Sequence, residues 1–122
     1  MLNIAYVGFG VSVREYHIPY VEHRNDCKVK YVFRREEDIA QFAEYEPFYP
    51  EITFTTDFDS VLNDPEINLV VVSAPDKFHV PYAKQILNAG KNALIEKPFA
   101  PTADEASEVF TLAKIHEMFK EE

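Results

Sequence analysis

The chain of 122 residues is short of several things, and each shortage closes off a class of function. It has one cysteine, Cys27, which excludes an internal disulfide and a multi-cysteine metal site. Cys27 has no partner histidine in a catalytic pattern and reads as inert. No apolar run approaches the roughly 20 residues needed to span a bilayer. The N-terminus enters a strand pattern directly, without the basic segment that opens a signal peptide, so the expectation is a cytoplasmic protein with no membrane contact. Basic residues are outnumbered, with 12 Lys and Arg against 21 Asp and Glu, for a formal net charge of −9. That balance argues against nucleic acid or anionic membranes as partners. His17, His23 and His116 show no metal-ligand spacing, and no metal is expected. Internal repeats, linkers and low-complexity segments are absent as well. What remains is one domain over 1–122 of ordinary globular composition, 47% hydrophobic and 27% charged, large enough for a single core.

The first fourteen residues organise the rest. Leu2-Asn3-Ile4-Ala5-Tyr6-Val7 is an apolar run of strand length with β-branched residues. It stops at Gly8-Phe9-Gly10, and Val11-Ser12-Val13-Arg14 leads into a helical pattern. A glycine closing a buried strand lets the chain reverse, and a second two residues on lets a diphosphate approach the backbone. The next helix aims its unpaired N–H groups at the same spot. The pattern is a G-x-G-x-x-G/A dinucleotide fingerprint with Val13 in the third small position, where a β-branched residue should push the helix off the strand or reshape the loop.

Further along, Tyr16, Pro19 and Tyr20 fall at roughly helical spacing within 13–22, and Pro19 predicts a kinked or late-starting helix. Lys28–Phe33 predicts a second strand, ended by Arg34-Arg35 and then Glu36-Glu37-Asp38. A short helix over Ile39–Ala43, a strand over Ile52–Thr55 and a small helix capped by Asp57 follow. Within 67–73, Leu69-Val70-Val71-Val72 has the continuous apolar character of a strand buried on both faces. After the turn Ala74-Pro75-Asp76 comes a helix over His79–Ala89, stopped by Gly90. A strand over Asn92–Glu96 ends at Lys97-Pro98, and Thr102 with Glu105 opens a last helix as a capping box.

Strand and helix thus alternate about five times. The expected fold is α/β, a doubly wound, mostly parallel, Rossmann-like sheet of about five strands with helices on both faces. Ligands of such sheets bind beyond the carboxyl ends of the strands. Those ends carry Gly8-Phe9-Gly10, Arg34-Arg35, Ala74-Pro75-Asp76 and Lys97-Pro98, four turns that should converge on one edge.

With these residues assembled, the chain resembles the N-terminal half of the Gfo/Idh/MocA oxidoreductases, the glucose–fructose oxidoreductase and inositol dehydrogenase family. Three stretches carry the likeness: Gly8-Phe9-Gly10 followed by Tyr16-His17-Ile18-Pro19, then Ala74-Pro75-Asp76-Lys77-Phe78-His79, and Ala89-Gly90-Lys91 through Glu96-Lys97-Pro98. The resemblance implies hydride transfer with NAD or NADP on sugars, cyclitols or related polyols. By it, Lys97 is the catalytic lysine that contacts the substrate hydroxyl and assists proton transfer. It places Gly8, Phe9, Gly10, Ser12 and Val13 of the loop at the dinucleotide, with Ala74, Pro75, Asp76 and His79 lining the cofactor groove and Glu96 and Pro98 shaping its pocket. Ala74 and Asp76 replace the family's usual Thr and Asn. Arg34, with Arg35, stands where an NAD enzyme carries an acid for the ribose hydroxyls, which favours NADP over NAD. The family's second, substrate-binding domain is expected to be absent from this chain, which would then be a fragment or a shortened product. A small polyol or sugar substrate would require that domain.

Other readings stand beside these. The glycine turn could hold no ligand, Arg34 and Arg35 could answer Glu36 and Glu37 on the surface, His79 could cap its helix, and Lys97 could be merely exposed. The whole chain could be a non-catalytic dinucleotide-binding or interaction module. A response-regulator-like domain ranks last, because the ends of strands one and three lack clustered acids. An unpaired edge at Asn92–Glu96 would favour homo-oligomers.

Overall fold

The computed structural model describes residues 1–95 apart from Ser12 and Pro75, with Asp76 described by its backbone alone. Among the described residues five strands form one sheet: β1 (Leu2–Val7), β2 (Cys27–Phe33), β3 (Thr53–Thr55), β4 (Leu69–Val72) and β5 (Asn92–Ile95). Their order is β3-β2-β1-β4-β5 and every pairing is parallel, so β1 lies at the centre of the fold. The chain winds outward from β1 to β3 on one side, then crosses back to β4 and β5 on the other. The expected strand over Asn92–Glu96 is present as far as Ile95, and the last predicted helix, opened by Thr102, lies outside the described residues.

Alternation along β1 builds a core on each face. Ile4 and Tyr6 pack with Phe9, Val13, Ile18 and Val21 on one side, while Ala5 and Val7 pack with Phe58, Val61 and Ile86 on the other. In β2 the alternation is interrupted. Ile4 pairs with Val29 and Ala5 with Tyr31, so Lys30 is an extra residue in the strand. This bulge returns Val32 to the same core as Val29, and it accounts for a strand that reads as polar–apolar alternation yet buries both faces at its carboxyl end.

The helices follow the sequence signals with one revision. Between β1 and β2 the chain forms a π-helical turn, Val13–His17, and then α1 (Ile18–Glu22), with Pro19 in the first turn of α1. With no N–H of its own, Pro19 removes one backbone donor at the junction where the π-helical turn passes into α1. Tyr16 and Tyr20, read at roughly helical spacing, are 70% and 64% exposed, and the buried side chains are Val13, Ile18 and Val21. Tyr16 and Tyr20 share the solvent face, opposite the face that packs in the core. After β2 come a 3₁₀ turn (Glu36–Asp38) and α2 (Ile39–Phe42), and a further 3₁₀ turn over Glu46–Phe48 precedes β3. α3 (Phe58–Asn63) is capped as predicted, Asp57 accepting from the Ser60 amide at 3.2 Å and the Ser60 hydroxyl at 2.7 Å. α4 (His79–Asn88) buries His79, Val80, Ala83 and Ile86. It ends where Gly90, at φ +78°, takes the left-handed turn, with Gly90 N–H donating to Leu87 O and Lys91 N–H to Ile86 O.

The amino edge of the sheet is closed by side chains. Asp64 accepts from Lys30 Nζ at 2.7 Å, Tyr31 Oη at 2.9 Å and the Glu66 amide at 2.9 Å. Lys91 Nζ donates to the carbonyls of Asp64 at 2.7 Å and Ile67 at 3.0 Å, and Asn3 is clasped by Asn68 and Glu66. Among the described residues no helix is long and apolar enough to cross a membrane.

The Lys30 ammonium, helped by the Glu66 amide, holds the Asp64 carboxyl at about 2, below its ordinary 3.8. A depressed carboxyl contributes stability that is complete above the unfolded value and fades as pH falls through the folded one. Asp64→Asn is therefore expected to lower the melting temperature at neutral pH, and the deficit should shrink as pH falls from about 4 toward about 2. Melts across that range check this, and a deficit independent of pH would contradict it.

Candidate functional site

At the opposite, carboxyl edge the strand ends are stitched by backbone. Gly8 N–H donates to Phe33 O at 2.9 Å, Ser73 N–H to Val7 O at 2.8 Å, and Arg34 N–H to Thr55 O at 3.1 Å. Gly8 has φ +103°, and a Cβ there would stand 2.9 Å from the Ser73 carbonyl oxygen. Both the backbone angle and the lack of room require glycine. Gly10 differs, because a Cβ built on it meets nothing within 4 Å. The first glycine thus serves the fold, and the second leaves backbone facing open space.

Gly10 also lines a cavity of about 410 Å³. Gly8, Phe9 and Gly10 line it from the end of β1, Arg34 and Arg35 from β2, and Ser73, Ala74 and His79 from the turn after β4. Residues far apart in sequence are brought to one edge, as the strand order requires. Phe33, Asp38, Gln41, Phe42 and Tyr82 also line it and were not singled out from sequence, since nothing in their spacing marks them. A second cavity of about 480 Å³ opens between α1, the start of β2 and the stretch before β3. It has no glycine turn, and none of its polar side chains is buried.

Within the glycine loop the side chains divide. Phe9 is fully buried, its ring edge-on to Phe42, Tyr49 and Phe54 at 5.0 to 5.8 Å, so its side chain is a packing group. Val13 is also fully buried, lies in the same core and does not line the cavity. Its side chain is therefore a packing group, at the start of the π-helical turn, with Arg14 N–H bonded to Gly10 O at 3.0 Å. Arg14, which the sequence reading passed over, donates from Nε to Phe9 O at 3.1 Å and lies 3.9 Å above the Tyr45 ring, tying the loop to the segment after α2.

Both arginines at the end of β2 carry carboxylate partners. Arg34 donates from Nε and Nη2 to Glu46 at 2.9 and 3.3 Å, and the two side chains are 11% and 20% exposed. Arg35 pairs with Asp38 at 3.1 Å and Glu37 at 3.2 Å, and its guanidinium lies 4.4 Å over the Phe78 ring, joining the β2 end to the turn after β4. The surface pairing weighed for Arg35 is therefore present, with Glu37 and Asp38, while Arg34 reaches instead for Glu46 across a later turn. His79 is 1% exposed, and its Nε2 is 2.7 Å from Ala74 O, so it holds the turn after β4 against the start of α4. Burial raises the pKa of the Tyr82 phenol. Ser12, Pro75, Glu96, Lys97 and Pro98 lie outside the described residues, and Asp76 is described only as the first residue of a 3₁₀ turn, Asp76–Phe78. Among the described residues no group of three or more His, Cys, Asp and Glu is arranged to hold a metal ion.

A family model described as "Oxidoreductase family, NAD-binding Rossmann fold" (GFO_IDH_MocA) matches residues 2–119. The "Uncharacterized oxidoreductase YhhX" of Escherichia coli is 50% identical over 115 residues, covering 93% of this chain and 32% of that protein. A crystal structure of a probable oxidoreductase yhhX superposes with a TM-score of 0.83 at 45% identity, over 96% of this chain and 33% of the other. The Bacillus subtilis protein named scyllo-inositol 2-dehydrogenase (NADP(+)) IolW is 26% identical over 85% of this chain and 28% of its own length. The chain spans about a third of the length of the relatives it matches. It belongs to the Gfo/Idh/MocA oxidoreductase family.

The two glycines should respond differently to one methyl group. Gly8→Ala is expected to cost about 1–3 kcal/mol through backbone strain, with the contact to Ser73 O adding to it. Gly10→Ala, in open space and without positive φ, should be neutral or stabilising by up to about 1 kcal/mol. Thermal or urea unfolding of both variants checks this, and equal losses would contradict the division of labour.

Proposed function

We propose that this chain is the cofactor-binding half of an NAD(P)-dependent oxidoreductase that acts by hydride transfer on a sugar, cyclitol or related polyol, with NADP preferred to NAD. The observation that carries the reading is Gly10, whose absent Cβ faces open space at the mouth of a cavity on the carboxyl edge of a parallel sheet. A cradle that a side chain would fill fits a ligand whose diphosphate must approach the backbone. When bound, the dinucleotide supplies the hydride chemistry.

The chain's own residues take the remaining work. The Gly8–Gly10 turn meets the diphosphate through backbone, with Arg14 and the buried Phe9 fixing the shape of the loop. Arg34 and Arg35 lie at the ribose end, where a guanidinium suits a 2′-phosphate. His79 and Ala74 hold the turn that forms the facing wall. Lys97, by its place in the family pattern, polarises the substrate hydroxyl and takes part in proton transfer, with Glu96 and Pro98 beside it. The NADP-dependent scyllo-inositol dehydrogenase among the relatives supports both the polyol class and the NADP preference.

Calorimetric titration of the full chain with NADPH and NADH is expected to give saturable binding to both, tighter for NADPH by about a few-fold. Gly10→Val should keep its melting temperature yet weaken both dinucleotides by about tenfold or more, since its side chain would stand where the diphosphate approaches. No saturation with either dinucleotide, or undiminished binding by Gly10→Val, would contradict the reading.

A further inference from the structure

We infer that Glu46 sets how strongly this site can favour a 2′-phosphorylated dinucleotide, by holding a negative charge against the Arg34 guanidinium that would receive the phosphate. The inference rests on the dinucleotide reading above and deepens it. Glu46 comes from the 3₁₀ turn before β3, twelve residues beyond Arg34, and nothing in the glycine fingerprint or in the end of β2 points to it.

The geometry gives Glu46 two opposed effects. Its carboxylate takes the Nε and one Nη2 proton of Arg34, leaving Nη1 and the other Nη2 proton as a second edge for an anion. Glu46 therefore aims the guanidinium, which helps. It also places a negative charge on the far side of that guanidinium, well within a Debye length of any phosphate bound there, which hurts. The side chains are only 11% and 20% exposed, so water screens this repulsion poorly. A phosphate carrying nearly two charges feels the repulsion more than it gains from the orientation these two hydrogen bonds impose, and charge decides the sign. The unphosphorylated dinucleotide has a ribose hydroxyl at that place and feels neither effect strongly. Surroundings add to the restraint: Arg34 and Arg35 pair with Glu37, Asp38 and Glu46, three acids against two bases.

Glu46→Gln separates the two effects, because the amide oxygen can still accept from Arg34 while the charge is gone. In the full chain this variant is expected to tighten NADPH by about tenfold and to leave NADH within about twofold. Adding Arg34→Gln to Glu46→Gln should remove that gain. A measurement without substitution guards against misfolding of the variants. In the unaltered chain the NADPH-to-NADH affinity ratio should hold within about twofold from about 50 to about 500 mM salt, because the charge of Arg34 is already met. Unchanged or weakened NADPH binding by Glu46→Gln, or a ratio in the unaltered chain that collapses with salt, would overturn the inference while leaving dinucleotide binding intact. Failure of the unaltered chain to bind either dinucleotide would overturn the functional reading and this inference with it.

Discussion

The structure turns on one close approach, that of the Gly8 backbone to the Ser73 carbonyl. A Cβ on Gly8 would sit 2.9 Å from that oxygen, so the ends of β1 and β4 can stand side by side only with glycine at this point. On either side, Val7 O accepts from Ser73 and Phe33 O accepts from Gly8, which draws three strand ends into one line. Everything assigned to the cavity depends on this register. Without it the glycine turn, the arginines after β2 and His79 at the head of α4 would not line a common space.

The two edges of the sheet are built on different physics. At the amino edge, Asp64, Lys30, Tyr31 and Lys91 satisfy one another and the nearby carbonyls, so polar groups serve to fasten strands together. At the carboxyl edge, polar groups are held by neighbours on the rim while the centre stays open. The acidic chain makes this second arrangement consequential. With a net charge of −9, the molecule offers a phosphate no general attraction, and affinity must come from local donors such as loop amides and two guanidinium groups already shared with carboxylates.

Much of the fold was legible because its signals are local. The run Leu69–Val72 had the continuous apolar character of a strand buried on both faces, Asp57 had the spacing of a cap, and Gly90 marked a helix end. The alternation of elements then fixed the parallel sheet. What escaped depended on tertiary contact. Val13 reads as a defect in a fingerprint, but its burial and the π-helical turn that admits it are properties of the packed core. Tyr16 and Tyr20 keep helical spacing and still face solvent, because Val13, Ile18 and Val21 supply the face that packs on the sheet. The bulge at Lys30 is invisible to periodicity because it breaks the period. At the site, residue types at strand ends were a sound guide to position, whereas the partners of those residues were not. Glu46 and Phe78 reach Arg34 and Arg35 from turns that no spacing rule connects to them.

The central claim is that the carboxyl edge, and not the other cavity near Cys27 and Ile52, receives a dinucleotide. An amide chemical-shift map of the isotope-labelled chain, recorded as NADPH is added, tests it most directly. The account predicts saturating shifts concentrated at Gly8, Phe9, Gly10, Arg34, Arg35, Ala74 and His79, with Lys28, Ile52 and Lys91 unmoved. Shifts concentrated around Cys27, Lys28 and Ile52, or scattered without saturation, would contradict it.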